Sequence, residues 1–259
     1  MSGIRDAAVV CSDLSVSWSG SGHARDRVIE GVDLTLPRGA AAVVMGPTGS
    51  GKSSLLAVLS GRAVYPLSVA GGDAVVEGIR VRRPGRARRM LLAYVGYLAQ
   101  GASTHLDARM TVGEIIAEPI TSRDRRVNAR ALAVRTAALL DEVELPLGAA
   151  VKFPYELSAG MRQRVALARS LVLEPRLLVA DEPLANLDIE VRHVVLDAIV
   201  RRRAEYGMAA LVATNDPQLP GELGARRLVL QQGHVVAQDG SSGLIWTPSS
   251  EADHRLVTS

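Results

Sequence analysis

The residues best suited to chemistry form a short glycine-rich stretch that ends in Lys52 and Ser53. Two glycines separated by four residues and followed by Lys and Ser fit the pattern of a loop that binds phosphate groups. Glycines let backbone N–H groups turn toward one point, and the start of a following helix adds partial positive charge there. The sequence therefore predicts a phosphate-binding loop made of Gly46, Pro47, Thr48, Gly49, Ser50, Gly51, Lys52 and Ser53.

The residues at the end of this loop have separate predicted roles. Lys52 would place a compact positive charge on the β- and γ-phosphates of a nucleotide, and the Ser53 hydroxyl would complete the shell of a Mg²⁺ ion. Ser54 is predicted to reach the α-phosphate. The only lysines are Lys52 and Lys152 among 30 basic residues, so this chain keeps lysine here although it otherwise uses arginine. The alternative is a glycine turn that caps a helix without a ligand.

The elements around the loop match the arrangement that such a loop needs. Ala40 to Met45 is a wholly apolar run, which is typical of a strand buried on both faces. The pattern from Ser53 to Ser60 is helical and is closed by Gly61. The order strand, loop, helix therefore supports phosphate binding.

A second apolar strand, Leu177 to Ala180, is followed by the acids Asp181 and Glu182. Parallel strands end at one edge of a sheet, so these carboxylates are predicted to lie beside the phosphate loop. Asp181 would contribute to the magnesium shell, and Glu182 would polarise an attacking water. The alternative is that the two acids only cap the next helix.

The rest of the chain alternates strands and helices, which predicts an α/β protein. Residues 111 to 145 are mostly helical and look like an inserted subdomain, with a capping box from Thr111 to Glu114 and two helices separated by Pro119 and the stretch near Arg123. Further helices are predicted at Ala159 to Leu173 and before Gly207. Strands are predicted at residues 7 to 19, Val28 to Leu36, Leu91 to Leu98, Ala209 to Ala213, Arg227 to Leu230 and His234 to Gln238, with a strand pair around Glu77 and Gly78.

Composition excludes several classes of protein. A length of 259 residues suits one large α/β domain or two small ones. The net charge of +3 is too small to argue for nucleic acid as a partner. Cys11 is the only cysteine, so no intrachain disulfide forms, which fits a reducing cytosol. No apolar stretch approaches the roughly 20 residues that span a bilayer, so any membrane role is expected to come through a partner.

Arginines are concentrated in one segment that follows the predicted strand pair: Arg80, Arg82, Arg83, Arg86, Arg88 and Arg89. Such a charge run is usually a solvated face, and this is the interpretation that the sequence favours. Contact with an anionic partner is the alternative.

A third motif, Leu157-Ser158-Ala159-Gly160-Met161, precedes the acidic strand by about twenty residues and predicts a helix N-terminus capped by Ser158. With this motif, nearly the whole chain resembles the ATP-binding cassette (ABC) family. The motif itself is similar to the signature motif of that family. Gln100 resembles the Q-loop glutamine, Ala185-Asn186-Leu187-Asp188 the D-loop, and Trp18 the aromatic residue that stacks on adenine. Taken singly, Gln100 could be a solvated amide, Asp188 a helix cap and Trp18 part of the core.

The resemblance implies a RecA-like P-loop NTPase core with an antiparallel β subdomain and an inserted α-helical subdomain. Residues 1–245 would form the nucleotide-binding domain, with the helical subdomain at about 101–165, and 246–259 a tail. Two chains would pair head to tail around ATP and Mg²⁺. Ser53, Gln100 and Asp181 would be the metal ligands, whereas Ser158, Ala159, Gly160, Met161 and Asp188 would face nucleotide in the partner's site.

Further runs resemble the ATPases of peptide, opine and nickel importers, among them Phe153 to Leu157 and Met110 to Glu114. The implied partners are transmembrane permease subunits, a second ABC ATPase subunit and, indirectly, a substrate-binding protein. The implied location is peripheral, on the cytoplasmic face of the membrane. A non-transport cassette ATPase that drives another complex is the alternative, and an unrelated P-loop kinase or GTPase leaves residues 157 to 161 without a role.

The sequence departs from the family pattern at two positions. Asn215 stands where the family has a switch histidine, and an amide cannot accept and transfer a proton as imidazole does. Ala159 stands where glycine is usual, which adds a methyl group beside a phosphate-facing backbone. We therefore predict slow turnover at this site and a heterodimer with a second ATPase subunit, the alternative being a homodimer that tolerates both changes.

Overall fold

The structure is a computed structural model that describes residues 6–18, 27–185, 187–240 and 243–246. Asn186 of the predicted D-loop and the predicted tail after Trp246 lie outside these residues. The strands are β1 Ala7–Ser17, β2 Arg27–Pro37, β3 Ala41–Met45, β4 Ser68–Val76, β5 Ile79–Arg80, β6 Val95–Leu98, β7 Leu177–Asp181, β8 Ala209–Ala213, β9 Arg226–Gln231, β10 His234–Gly240 and β11 Gly243–Trp246. The α-helices are α1 Lys52–Leu59, α2 Arg88–Tyr94, α3 Val112–Thr121, α4 Ala129–Glu142, α5 Ala159–Leu171, α6 Ile189–Tyr206 and α7 Leu219–Glu222.

The central sheet has the order β11-β10-β9-β3-β8-β7-β6. Strands β9, β3, β8, β7 and β6 run parallel, and β10 and β11 add an antiparallel edge. Its inner strands β3 and β8 are apolar throughout because both faces are buried. Val43 and Val212 pack into the core on one face, whereas Val44 and Leu211 pack into the core on the other.

The second sheet is antiparallel, with the order β2-β1-β4-β5. It shares one hydrophobic core with α1 and one face of the central sheet, through fully buried residues such as Leu14, Ile29 and Leu56. The other core joins the opposite face to helices α3 to α6, through Ile116, Leu140 and Leu167. The phosphate loop therefore starts between two packed layers.

The predicted capping box is confirmed at the start of α3. The Thr111 hydroxyl accepts the Glu114 N–H at 3.3 Å, and the Glu114 carboxylate accepts the Thr111 N–H at 2.7 Å. Pro119, however, does not separate two helices, because it lies inside α3. It occupies the last turn, where the missing N–H removes a single helical hydrogen bond. The break falls at residues 122–128, which include the predicted stretch near Arg123.

Two other boundaries also differ from prediction. Only Val95–Leu98 is a strand, because Leu91 to Tyr94 belong to α2, where Leu91 is fully buried. A short apolar run fits a strand and a buried helix equally well. Helix α5 ends at Leu171 rather than Leu173, since Glu174 turns back with a positive φ of 50°. Among the described residues, no helix combines the length and apolarity that crossing a membrane requires.

Candidate functional site

A cleft of about 210 Å³ lies at the carboxyl edge of the central sheet. The carboxyl ends of parallel strands meet at such an edge, and connections from β3, β6, β7 and β8 all reach this one. Its lining residues come from these connections and from the second sheet: Trp18, Val28, Thr48, Gly49, Gly51, Lys52, Ser53, Ser54, Gln100, Asp181, Glu182 and Asn215. Gly46, Pro47 and Ser50 complete the loop without lining the cleft.

Backbone geometry explains two of the loop glycines. Gly46 has a φ of 142°, and a Cβ there would lie 2.0 Å from the Leu230 carbonyl oxygen. Gly51 has a φ of 103°, and a Cβ there would lie 2.4 Å from the Val28 carbonyl oxygen. Any larger residue would push the loop away from β9 and β2. Close packing against these strands therefore sets the position of the loop.

Lys52 is the first residue of α1, and its side chain folds back over the loop. Its Nζ donates to the carbonyl oxygens of Gly46 at 2.5 Å and Pro47 at 3.2 Å. It also donates to Asn215 Oδ1 at 3.3 Å. These contacts use the three donors of an ammonium group. The residue is 7% exposed, so its charge is confined to the cleft.

Asp181 is the last residue of β7 and is buried. Burial raises the pKa of its carboxyl group, while a hydrogen bond from the Ser53 hydroxyl and the charge of Lys52 act in the opposite direction. Ser53, the second residue of α1, is thus fixed against the acidic strand. The structure therefore brings together two of the three predicted metal ligands in a direct contact.

Glu182 follows directly and adopts a left-handed backbone with a φ of 48°. Its N–H donates to the Ala213 carbonyl at 2.9 Å, which ties it to the end of β8. Its Oε2 accepts the hydroxyl of Thr214 at 3.0 Å. Within the described part of the chain, only Oε2 of this carboxylate is held in this way, which leaves Oε1 for a water in the cleft.

The segment after β8 is held by a chain of polar contacts. Thr214 Oγ1 accepts the Asp216 N–H at 3.2 Å, and Asp216 forms an ion pair with Arg192. Arg192 on α6 also pairs with Glu222 at 2.8 Å. Asn215 lies between these fixed residues and accepts a hydrogen bond from Lys52. The amide therefore faces the phosphate loop.

Trp18 and Gln100 also line the cleft. Trp18 is half-exposed at 51%, which leaves part of its ring open to a ligand in the cleft. Gln100 follows β6 and is exposed. It lines both this cleft and a neighbouring cavity of about 660 Å³ that also includes His105 and Glu118.

Residues 29–185 match the family described as ABC transporter. This chain belongs to that family. It is 31% identical to the glutamine transport ATP-binding protein GlnQ of Escherichia coli over 227 residues, which cover 87% of this chain and 90% of GlnQ. It is 32% identical to the oligopeptide transport ATP-binding protein OppD of Mycobacterium tuberculosis over 232 residues, 89% of this chain. It is 30% identical to the peptidoglycan transport ATP-binding protein YejF of Agrobacterium fabrum over 89% of this chain. The chain spans only 37% of OppD and 42% of YejF.

Solved structures confirm the predicted fold class. An ATP-binding cassette, MJ0796, solved as a post-hydrolysis dimer bound to ADP and Pi, superimposes with a TM-score of 0.79 at 22% identity. The match covers 89% of this chain and 97% of that one. The cassette cbiO1 from Clostridium perfringens gives a TM-score of 0.76, also at 22% identity, over 90% of this chain and 88% of its own. At 22% identity, these two structures establish only the fold of this chain.

The residues that were predicted to form a signature motif lie apart from the cleft. Ser158 is the N-cap of α5, as predicted, and its hydroxyl oxygen accepts the Met161 N–H at 3.2 Å. Ser158 and Ala159 are exposed. Gly160 packs closely on α6, since a Cβ there would lie 2.8 Å from Val191 Cγ2. None of residues 158–161 lines the cleft.

Like the start of α5, Asp188 lies outside the cleft. It occupies the N-cap position of α6 and is exposed, but its side chain makes no capping hydrogen bond. The missing capping contact argues against the alternative that Asp188 is only a helix cap. Because α5 and α6 meet at Gly160 and Val191, Asp188 and Ser158 begin neighbouring helices.

Sequence reasoning missed two residues that support the site. Thr214 precedes the switch position, and its hydrogen bond to Glu182 depends on β7 and β8 being neighbours, which the sequence alone does not show. Arg192 lies on a helix surface, where its spacing resembles that of any solvated arginine. The sequence offers one signal for Arg192. Asp216 lies one residue after the switch position, and a half-buried carboxylate needs a cationic partner.

Proposed function

We propose that this chain is the ATP-binding, energy-coupling subunit of an ABC transporter and that it binds and hydrolyses ATP-Mg at the interface of a cassette dimer. The single observation that carries this proposal is the cleft, in which a phosphate loop, two acids, a glutamine and an exposed tryptophan converge from separate elements. A glycine turn that only caps a helix would leave these groups without a common purpose.

The hydrogen-bond donors and positive charges in the cleft fit a nucleoside triphosphate. The loop amides and the start of α1 provide partial positive charge, and Lys52 provides a full one. Phosphate oxygens would replace the loop carbonyls that Lys52 now contacts. The hydroxyls of Thr48, Ser53 and Ser54 add donors on the same side. The half-exposed ring of Trp18, which also lines the cleft, offers a surface on which adenine would stack.

The oxygen donors also fit magnesium. Mg²⁺ prefers a few protein oxygens together with water and substrate phosphates. The Ser53 hydroxyl, the Asp181 carboxylate and the Gln100 amide are the donors of this kind in the cleft, and Ser53 and Asp181 already touch. A bound Mg²⁺ would neutralise charge on the β- and γ-phosphates.

Hydrolysis needs a group that orients water and accepts its proton. We assign this role to Glu182, whose carboxylate is held by Thr214 on one oxygen. As the water oxygen bonds to the γ-phosphorus, the bond between that phosphorus and the ADP oxygen breaks, and Glu182 takes the proton. Gln100 and Asn215 would position the water and the γ-phosphate.

The amide at Asn215 supports slow turnover. It accepts a hydrogen bond from Lys52 and keeps its NH₂ group for a phosphate oxygen. An amide, however, neither takes up nor releases a proton near neutral pH. We therefore infer that this site binds ATP firmly and cleaves it slowly, and that the chain pairs with a second, competent ATPase subunit. A homodimer remains the alternative arrangement.

The exposed start of α5 supports the dimer. Ser158, Ala159, Gly160 and Met161 are placed at a helix N-terminus but away from the cleft of their own chain. We propose that they and Asp188 complete the partner subunit's site. There the helix dipole and the Ser158 hydroxyl would act on the γ-phosphate.

The names of the relatives support the remaining assignments. Proteins called oligopeptide and glutamine transport ATP-binding proteins favour an importer with permease subunits and, indirectly, a substrate-binding protein. We infer a peripheral location on the cytoplasmic face of the membrane. Within the chain, we assign residues 1–245 to the nucleotide-binding domain and about 101–165 to its helical subdomain.

ATP turnover tests this proposal directly. The chain would be assayed alone and together with candidate ATPase and permease subunits, as the native form and as Asn215→His. We expect tight nucleotide binding and little turnover for the native chain alone. Asn215→His should raise turnover by about tenfold or more if the missing proton carrier limits it. Brisk turnover by the native chain alone would refute the impaired site, and absence of ATP binding would refute the whole proposal.

A further inference from the structure

The structure extends the arginine-rich segment into a larger surface. Residues 80–94 contain six arginines and no acid, and residues 122–126 contain three arginines and one acid, Asp124. We call these nine residues the arginine surface: Arg80, Arg82, Arg83, Arg86, Arg88, Arg89, Arg123, Arg125 and Arg126.

Reciprocal hydrogen bonds join the two segments. Arg89 Nη2 donates to the Arg123 carbonyl at 2.7 Å, and Arg123 Nη1 donates to the Arg89 carbonyl at 3.0 Å. Arg123 Nη2 also donates to the Leu92 carbonyl at 3.0 Å. These acceptors are neutral, so they fix the side chains without cancelling their charge. Burial and the charge of Arg89 lower the pKa of Arg123, as crowding of like charges should.

Carboxylates compensate little of this charge. Arg80 pairs with Asp73 at 3.1 Å. Asp124 uses its carboxylate to accept the backbone N–H of Arg126 at 2.8 Å. Among the described residues, no ion pair involves the remaining exposed members, which are Arg82, Arg83, Arg86, Arg88, Arg89, Arg125 and Arg126. A solvated face of ordinary composition would intersperse both signs of charge.

An exposed apolar side chain lies within this surface. Met90 on α2 is 51% exposed and is flanked by Arg88 and Arg89, whereas the next residue, Leu91, is fully buried. Arginine on a polar face beside an outward apolar residue is typical of elements that rest on a lipid headgroup layer. Guanidinium groups also match phosphate geometry with paired donors.

The position of the surface points to the same partner. Arg123 also lines the 660 Å³ cavity that contains Glu118 and Gln100, and Gln100 lines the nucleotide cleft as well. A permease that responds to nucleotide would contact the chain at this connection. We propose that the arginine surface binds the anionic phospholipid headgroups of the membrane in which that permease sits. This inference rests on the proposed function for the side on which the membrane lies. The charge is spread over a strand end, a helix and a loop, which suits an array of headgroups better than a single carboxylate.

Vesicle binding tests the inference with the full-length chain. Vesicles of phosphatidylcholine alone would be compared with vesicles of phosphatidylcholine and phosphatidylglycerol in equal parts, by co-sedimentation at low and high salt. We expect binding to the anionic vesicles only, and weaker binding as salt screens the charges.

Two double variants remove equal charge from different places. Arg86→Gln with Arg88→Gln removes two exposed arginines that make no described side-chain contact. Arg201→Gln with Arg226→Gln removes two exposed arginines elsewhere on the chain. At about a factor of five for each arginine near an anionic surface, the first pair should weaken vesicle binding roughly thirty-fold. The control pair should weaken it far less. Equal loss in both pairs would overturn the proposal, because it would show attraction through net charge alone.

A tryptophan probe reports whether the surface touches the headgroup layer. Met90→Trp should shift its emission to the blue on addition of anionic vesicles, after subtraction of the native signal from Trp18 and Trp246. An unshifted emission, or binding to polyglutamate but not to vesicles, would overturn the proposal, the latter in favour of an acidic protein partner. ATP affinity of the Arg86 and Arg88 variant should be unchanged. Failure to bind ATP thus contradicts the proposed function, whereas failure to bind anionic vesicles contradicts the lipid inference alone.

Discussion

The cleft and the start of α5 present their groups in opposite ways. In the cleft, Lys52 and Asp181 are buried, and each already contacts other residues of the site. At the start of α5, Ser158 and Ala159 are exposed and contact nothing in the cleft. One region is assembled within a single chain, and the other presents its groups outward.

This difference indicates how a divided site distributes its work. Groups that hold charge on a nucleotide need a fixed, partly dehydrated setting, which the two cores around β3 and α1 provide. Groups that complete the site only after closure must reach a second chain, so they cannot be buried in the first. Binding and turnover should therefore respond separately to changes in the two regions.

The two lysines provide the largest expected separation. Lys52→Ala removes a charge-assisted contact to phosphate and should weaken ATP affinity of the lone chain by about a hundredfold, as calorimetry would measure. Lys152→Ala removes the same charge at an exposed position. It should leave affinity unchanged. If both variants bound ATP like the native chain, the cleft could not be the nucleotide site.

The next effect belongs to the other region. Ser158→Ala should reduce turnover of the assembled dimer about tenfold, because a donor to the partner's γ-phosphate is lost, while ATP affinity of the lone chain stays the same. Loss of the cap should also lower the free energy of unfolding by about 1 kcal/mol.

Asn128→Ala is the matched control for that stability loss. Asn128 caps α4 by accepting the N–H groups of Arg130 and Ala131. Its removal should cost a similar free energy of unfolding and leave turnover intact. If Asn128→Ala slowed turnover as much as Ser158→Ala, the effect would reflect a weakened helical region and not a contact with nucleotide.

Local motifs made most of the site predictable. The loop from Gly46 to Ser53 and the pair Asp181 and Glu182 were identified because their types and spacing alone point to phosphate and metal chemistry. The support from Thr214 and Arg192 was missed because it arises only when β8 lies beside β7 and α6 reaches α7. The same distinction explains the errors in the fold. Leu91 and Pro119 were misplaced because short apolar runs and single prolines depend on what packs around them.

Of the two regions, the cleft is the one in which magnesium-dependent ATP binding should respond to acidity. Burial raises the pKa of Asp181, so on acidification this carboxylate is protonated at a higher pH than an ordinary aspartate. The protonated form is a poor magnesium ligand. The gain in ATP affinity that Mg²⁺ provides should therefore shrink severalfold on acidification, beginning at a higher pH than an ordinary aspartate would give. In Asp181→Asn the gain should be small at every pH. A gain that follows the same pH curve in both forms would assign the effect to ATP itself.

The smallest expected effect concerns the methyl group of Ala159. Ala159→Gly removes it from the first residue of α5, which should speed turnover of the dimer by a few-fold if the methyl keeps the partner's γ-phosphate at a distance. Glycine at this position should also cost up to about 1 kcal/mol of unfolding free energy. Ala129→Gly makes the same change at the first residue of α4, also exposed. It should lower stability without changing turnover. If Ala159→Gly left turnover unchanged while Asn215→His raised it, the slow step would lie entirely in the cleft, and the start of α5 would already fit its partner.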